Sequence, residues 1–260
     1  MPTGPQPYPH DQRMSRAREI AAKFQAHYGE QMLASGLYGS VARSADGPHS
    51  DIEIHVVIDG NNIERCFEWS EGPWKAEVDV YSPDVILAQA AELDEFWPLT
   101  HGAYVYVQPI HDPQDIFAHV RKVALAHTDQ EINAMLREVL IGDIYECIGK
   151  LRNGILPGFS HIMPAYAVDT VRFGACLLGL AHRRIYSSSV AMFPESLQLP
   201  DRPTGYNHLC GMVMRGELSN PPRLLEAANA YWDGLETWAA ARGLTIHTNL
   251  DTLLSQSPRE

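Results

Sequence analysis

Basic side chains are in short supply in this sequence. Twenty lysines and arginines stand against 32 aspartates and glutamates in 260 residues, a formal net charge of −12. That balance argues against a nucleic-acid backbone as partner and suits cationic ligands. Cysteines are also few. The four, Cys66, Cys147, Cys176 and Cys210, are scattered, with no CxxC pair and no histidine at zinc-ligand spacing. This excludes a disulfide framework and a zinc-finger pattern, and reduced thiols are expected. No apolar run reaches transmembrane length and no basic-then-apolar segment opens the chain. The expectation is therefore a cytoplasmic protein with no membrane partner. Internal repeats and low-complexity runs are absent beyond the proline-rich first ten residues, which are expected to form a flexible tail over 1–10. The length allows one large or two modest domains.

What is present centres on Leu37 to Asp59, LYGSVARSADGPHSDIEIHVVID. It reads as strand, tight turn, loop and strand. Asp51 and Glu53 alternate with Ile52 and Ile54, and side chains two apart on a strand share a face. The two carboxylates then lie about 7 Å apart at their Cα atoms, close enough to converge on one hard cation such as Mg²⁺. Without a cation between them, two such charges repel. The turn before them suits a phosphate: Gly39 lets the backbone approach a ligand closely, and Ser40 adds a hydroxyl and an N–H. Arg43 and Ser50 supply further donors. The bland alternative is a hairpin with a Gly-Ser turn and two solvent-facing acids.

The rest of the chain separates into two compositional halves. Asp11–Tyr28 carries apolar residues at helical spacing, with Asp11 as candidate N-cap. Two strands follow between Ile63 and Val80, turning at Glu71-Gly72-Pro73. On the second, Glu77 and Asp79 share a face, and either could add a third carboxylate. A helix is expected over Asp84–Phe96 and an edge strand over Tyr104–Val107. Helical sequence dominates after about Asp115, which places a catalytic α+β domain at 11–126 and a helical domain at 127–260. Over Glu131–Asn153 the apolar stripe Ile132, Met135, Leu136, Val139, Leu140 extends at about 100° per residue to Asp143, Glu146 and Lys150. Glu146 and Lys150 then either line a cleft or form a plain i, i+4 ion pair. Further helices are expected over Ala165–Leu180, from Gly205 to Met214, and over Pro222–Arg242. In the last of these, Trp232, Leu235 and Trp238 read as core.

Gly39-Ser40 followed after ten residues by Asp51-Ile52-Glu53 resembles the signature of the nucleotidyltransferase superfamily related to DNA polymerase β. YGSVAR, DGPHSDIEIHVV, FEWSEGPWKAEV, WPLTHG, GDIYECIGKLRN, GYNHLC and VMRGELS, in that order, resemble the aminoglycoside 4'-nucleotidyltransferases, the kanamycin nucleotidyltransferase family. The likeness runs from about Leu37 to beyond Ser219. It implies an N-terminal nucleotidyltransferase domain of mixed β-sheet with helices and a C-terminal helical bundle. The implied activity is transfer of a nucleoside monophosphate from Mg·ATP, or another NTP, to a drug hydroxyl. By resemblance, Asp51 and Glu53 hold Mg²⁺, and Gly39, Ser40, Arg43, Ser50 and Lys150 bind the nucleotide. Glu146 is the general base, Lys150 also contacts the α-phosphate, and Glu68 and Glu77 meet the antibiotic's ammonium groups. Glu77 matches the third carboxylate, with Asp79 the competitor. A homodimer with active sites at its interface is implied as well. The alternatives are a nucleotidyltransferase with another small-molecule or protein acceptor, and a non-catalytic nucleotide-binding protein. Neither the residues nor the resemblance gives His101 a role.

Overall fold

Alternation of apolar and acidic residues decides where the sheet of this protein is built. In the computed structural model, which describes residues 4–256, the strand β4 (Trp74–Tyr81) buries Trp74, Ala76, Val78 and Val80 and turns Lys75, Glu77 and Asp79 the other way. Its parallel neighbour β2 (Ile52–Ile58) does the same with Ile52 and Ile54 against Glu53. β3 (Glu64–Glu71) pairs antiparallel with β4, β1 (Met32–Tyr38) pairs antiparallel with β2, and β5 (Gln108–His111) borders β1. The order is β3-β4-β2-β1-β5, a mixed five-stranded sheet. Its edges are guarded: β3 is exposed and rich in charge, and β5 is short and holds Pro109. Both features discourage edge-to-edge pairing.

The helix α1 (His10–Tyr28) covers the apolar face. Its buried residues Ala17 and Ile20 join Leu37, Ile52, Ile54, Val56, Val78 and Val80 in one core. Each fully buried aliphatic side chain there contributes about 1.5–3 kcal/mol. Arg13, on the same helix, is buried too. Its guanidinium pairs with Asp46 and donates to the carbonyls of Tyr8 and Pro48. His10 Nδ1 meets the other Asp46 oxygen at 2.7 Å. This cluster corrects the expected tail over 1–10. Met1–Thr3 lie outside the described residues, but Gln6 N donates to Pro73 O, Tyr8 N donates to Pro48 O, and His10 already belongs to α1. The cap of α1 is Pro9 rather than Asp11.

After β4 the chain forms α3 (Pro83–Ala90), α4 (Trp97–Thr100), α5 (Gly102–Val105) and, beyond β5, α6 (Ile116–Ala124). Two expectations fail here. The helix placed over Asp84–Phe96 stops at Ala90, and the strand placed over Tyr104–Val107 is helical at its start, with the edge strand beginning at Gln108. The YVYV alternation suits a strand. The hydrogen bonds from Tyr104 N and Val105 N to His101 O instead close a helical turn.

Two compact units emerge. One holds the chain up to Leu93, Leu99–His127 and Ser187–Ser189; the other holds Asp94–Pro98, Thr128–Tyr186 and the chain from Val190 onward. The second unit is helical: α7 (Asp129–Glu138), a π-helical segment (Val139–Ile144), α8 (Tyr145–Asn153), α9 (Met163–Ala181), α10 (Met192–Ser196), α11 (Tyr206–Arg215), α12 (Pro221–Ala241) and α13 (Leu250–Gln256). The class is therefore α+β, a mixed sheet with helices followed by a helical region. α9 is the hub, in contact with α7, the π segment, α8, α10, α11 and α12. Thr128 and Glu131 start α7 with a reciprocal capping box.

The π segment overturns the expected stripe. Buried positions run Ile132, Leu136, Val139 and Leu140, then jump to Ile144, Cys147, Ile148 and Leu151. A π turn holds one residue more than the helix around it, so the buried face advances by one position. Asp143, Glu146 and Lys150 thus do not continue the stripe. The Glu146 side chain is 65 % exposed and that of Lys150 41 %.

Candidate active site

Strand register assembles the polar face of the sheet in rows. Glu68 on β3 faces Glu77 on β4, Glu77 faces Glu53 on β2, and Glu53 faces Tyr38 on β1. Of the two competitors for third carboxylate, Glu77 thus stands beside Glu53, while Asp79 stands one row further on, beside His55. Asp51 directly precedes β2. Lys75, in phase with Glu77 on β4, reaches into the acids: its Nζ lies 2.6 Å from Glu68, 3.4 Å from Asp51 and 3.9 Å from Glu77. The Tyr38 hydroxyl donates to Asp79 Oδ2 at 2.9 Å and lies 3.5 Å from Glu77 Oε1. Burial and the surrounding acids push the Tyr38 ionisation far upward, so it remains a donor.

Glu53 is the most perturbed acid of this group. Burial, then the charges of Asp51 and Glu77, push its carboxyl up to about 7, against the pull of Lys75 and Arg43. Burial and Asp79 push Glu77 upward as well. Oxygen donors crowded until one resists ionisation are a donor set that fits Mg²⁺, a hard cation that takes oxygen ligands.

Gly39 is required where it stands. Its φ is +73°, and a Cβ there would lie 1.7 Å from Glu53 Oε2. The absent side chain is the space into which the carboxylate fits. Ser40 is the second residue of a single helical turn, α2 (Gly39–Ala42), and its carbonyl accepts from Ala45 N. The Arg43 guanidinium lies over the Tyr106 ring at 5.1 Å. Ser50 Oγ accepts from Gly47 N at 3.0 Å, which folds the loop just before Asp51. The sheet unit therefore brings together Gly39, Ser40, Ser50, Asp51, Glu53, Glu68 and Glu77.

Glu146 and Lys150 belong to the helical unit, where Glu146 Oε1 lies 3.6 Å from Lys150 Nζ. One turn earlier, burial and the acids Glu95, Glu138 and Glu146 push Asp143 up to about 6. His101 is buried, and burial followed by His127 lowers it to about 4. A neutral structural ring fits that setting.

Sequence reasoning missed Lys75, Tyr38 and the Arg13–Asp46 pair. Period two along β4 points to Lys75, in phase with Glu77 and Asp79. Nothing in the sequence links Arg13 to Asp46, 33 positions apart.

The mixed sheet with its helices is the nucleotidyltransferase fold. A nucleotidyltransferase-like protein from Exiguobacterium sibiricum shares the fold, with a TM-score of 0.53 at 12% identity over 95% of this chain and 81% of that one. Two curated relatives are each named aminoglycoside nucleotidyltransferase (4'), one from Bacillus sp and one from Staphylococcus aureus. Each is 34% identical over 236 residues, covering 91% of this chain and 93% of the relative. The family described as the KNTase C-terminal domain matches residues 114–245. The chain belongs to the aminoglycoside 4'-nucleotidyltransferase family.

Proposed function

We propose that this protein transfers AMP from ATP to the 4'-hydroxyl of aminoglycoside antibiotics, releases pyrophosphate and so inactivates the drug. The observation that carries the reading is the row Glu53–Glu77 with Asp51, packed against Gly39-Ser40, in a chain 34% identical to enzymes of that name. Asp51 and Glu53 would hold Mg²⁺, which when bound neutralises phosphate charge and raises the electrophilicity of the α-phosphorus. Ser40, Arg43 and Ser50, with the Gly39 turn, bind the β- and γ-phosphates and align the leaving group. Glu146 takes the proton of the attacking hydroxyl, and Lys150 offsets charge growing on the α-phosphate. The new bond joins the drug oxygen to phosphorus as the bond to the β-phosphate oxygen breaks, and pyrophosphate departs. Glu68 and Glu77 receive ammonium groups of the drug, which exchange for the Lys75 ammonium now resting there. The acidic composition agrees with a polycationic substrate.

From the family resemblance, we read the working form as a cytoplasmic homodimer with its active sites at the interface. Kanamycin and tobramycin are the acceptors to try first. Tobramycin incubated with Mg·ATP should gain the mass of one AMP, and a 4'-deoxy drug should not. Equal labelling of the 4'-deoxy drug would refute the regiochemistry. Glu146→Gln should lower turnover about 10²–10⁴-fold, as loss of a general base does, with ATP binding retained. Unchanged turnover would remove Glu146 from the mechanism.

A further inference from the structure

One row along from the acids, the same three strands bring a different donor set together. Cys66 on β3 stands opposite Asp79 on β4, and Asp79 stands opposite His55 on β2. Cys66 Sγ, a Glu77 oxygen and an Asp79 oxygen all lie within 4.8 Å of one another. Cys66 is exposed, so the group is open to solvent on that side. Behind it, His55 is 1% exposed. Its Nε2 contacts the Ala103 carbonyl at 3.1 Å. A carbonyl only accepts, so the ring hydrogen is on Nε2 and the lone pair is on Nδ1. That Nδ1 is buried with no hydrogen-bond partner. It lies 4.0 Å from Asp79 Oδ2. The ring stacks on Tyr38 at 4.0 Å and on Tyr104 at 5.6 Å, so the imidazole is held in this orientation.

Asp79 Oδ2 already takes the Tyr38 hydroxyl, but the buried Nδ1 lone pair has nothing to accept from, an unfavourable arrangement that an electrophile beside it would relieve. Sulfur, imidazole nitrogen and two carboxylate oxygens are donors for a borderline-soft cation, in contrast to the oxygen-only set at Asp51 and Glu53. We propose that Cys66, Glu77 and Asp79, backed by Nδ1 of His55, form a second metal site that takes a divalent cation of the zinc class. A tetrahedral centre of that class has Zn–S near 2.3 Å and Zn–O near 2.0–2.2 Å. On binding, the Cys66 thiol loses its proton to solvent and the thiolate becomes a ligand. The sequence gives no hint of this, because the donors lie on three strands and meet only through register.

The test uses Co²⁺ as a spectroscopic stand-in, titrated into the full-length, metal-free chain in excess Mg²⁺. One equivalent should bind with a thiolate-to-cobalt charge-transfer band, and one equivalent of Zn²⁺ should bleach it. Cys66→Ser, a change at an exposed position, should abolish the band, and Asp79→Asn should weaken binding at least about tenfold. The other three cysteines remain in Cys66→Ser, so a band that survives there overturns the assignment. A band that never forms does so too, as does displacement of the cobalt by Mg²⁺, which would put the ion at the oxygen-only pair. None of these readouts depends on transferase activity, so the site can fail without the proposed function failing, and the reverse.

Discussion

Replacing Glu53 by glutamine should make the metal-free protein more stable at pH 8 while removing its activity. Glu53 is half-buried between Asp51 and Glu77 and pressed against Gly39. Its carboxyl is held at about 7, against an ordinary value of 4.5. A raised value in the folded state means that protonated Glu53 favours folding. Its contribution is present in full below about pH 4.5 and is lost as pH rises through 7. Across that window the difference amounts to about 3 kcal/mol, at 1.36 kcal/mol per pH unit. Glutamine keeps the shape and never ionises, so Glu53→Gln escapes the loss. Urea unfolding followed by circular dichroism, without divalent ions, should show wild type and variant nearly equal at pH 4.5. At pH 8 the variant should lead by about 1–3 kcal/mol. Comparing the two proteins at each pH cancels the acid sensitivity of groups distant from Glu53. Mg²⁺ at pH 8 should then raise the wild-type midpoint and leave the variant nearly unmoved, as ligand linkage requires. A gap that does not widen between pH 4.5 and pH 8 would refute the idea that these carboxylates crowd one another.

Arg13→Met should destabilise the protein by about 3–5 kcal/mol in urea, because it strands a buried Asp46 carboxylate. It should also raise the KM for ATP, because Asp46 lies in the loop that carries Arg43, Ser50 and Asp51. At Asp46, hydrogen bonds from Arg13 and His10 outweigh the upward push of burial and hold the carboxyl below its usual 3.8, so this stabilisation should fade only as pH falls below that range. Gly39→Ala should cost about 1–2 kcal/mol from left-handed backbone alone and, by displacing Glu53, abolish Mg²⁺-dependent pyrophosphate release; retained release would mean the Gly-Glu contact is dispensable. Deleting Gly142, exposed within the π turn, should leave a folded protein with a regular α-helix from 129 onward, with a melting temperature within a few degrees of wild type. A deletion elsewhere in that helix would rotate its buried face by about 100°, and equal damage from both deletions would refute the register argument.

What could be read from the sequence followed from local rules. The 2-residue period at Ile52–Ile54 and Ala76–Val80 gives strands and the side on which their acids lie, and Gly39-Ser40 marks a bend between strands. Those rules need no partner strand. The row Glu68–Glu77–Glu53–Tyr38 does, and neither the parallel pairing of β2 with β4 nor its register is encoded by either strand alone. The same limit hid Lys75 among the acids. The helical stripe failed for a different reason. A 100° projection from Ile132 assumes an unbroken α-helix, and nothing in VLIGDI announces the extra residue that moves the buried face from Asp143 to Ile144. Tyr104–Val107 failed because β-favouring residues were overruled by their surroundings: Val105 is buried within a helical turn that starts at His101.

The crowding of Glu53 and its stability cost explain why the site lies on the middle of the sheet. Three residues on each of β2 and β4, Ile52, Ile54, Val56, Ala76, Val78 and Val80, are fully buried on the face opposite the acids. The aliphatic side chains contribute about 1.5–3 kcal/mol each, so one or two offset the penalty at Glu53. The same side chains fix the acids in space. Sliding β2 by one residue against β4 would put Glu53 into the apolar core and turn Ile52 and Ile54 out of it, a far larger cost than the repulsion it would relieve. Carboxylates on a loop could drift apart until their ionisation became ordinary. On two parallel strands locked from behind they cannot, and their mutual repulsion persists as affinity for whatever cation arrives.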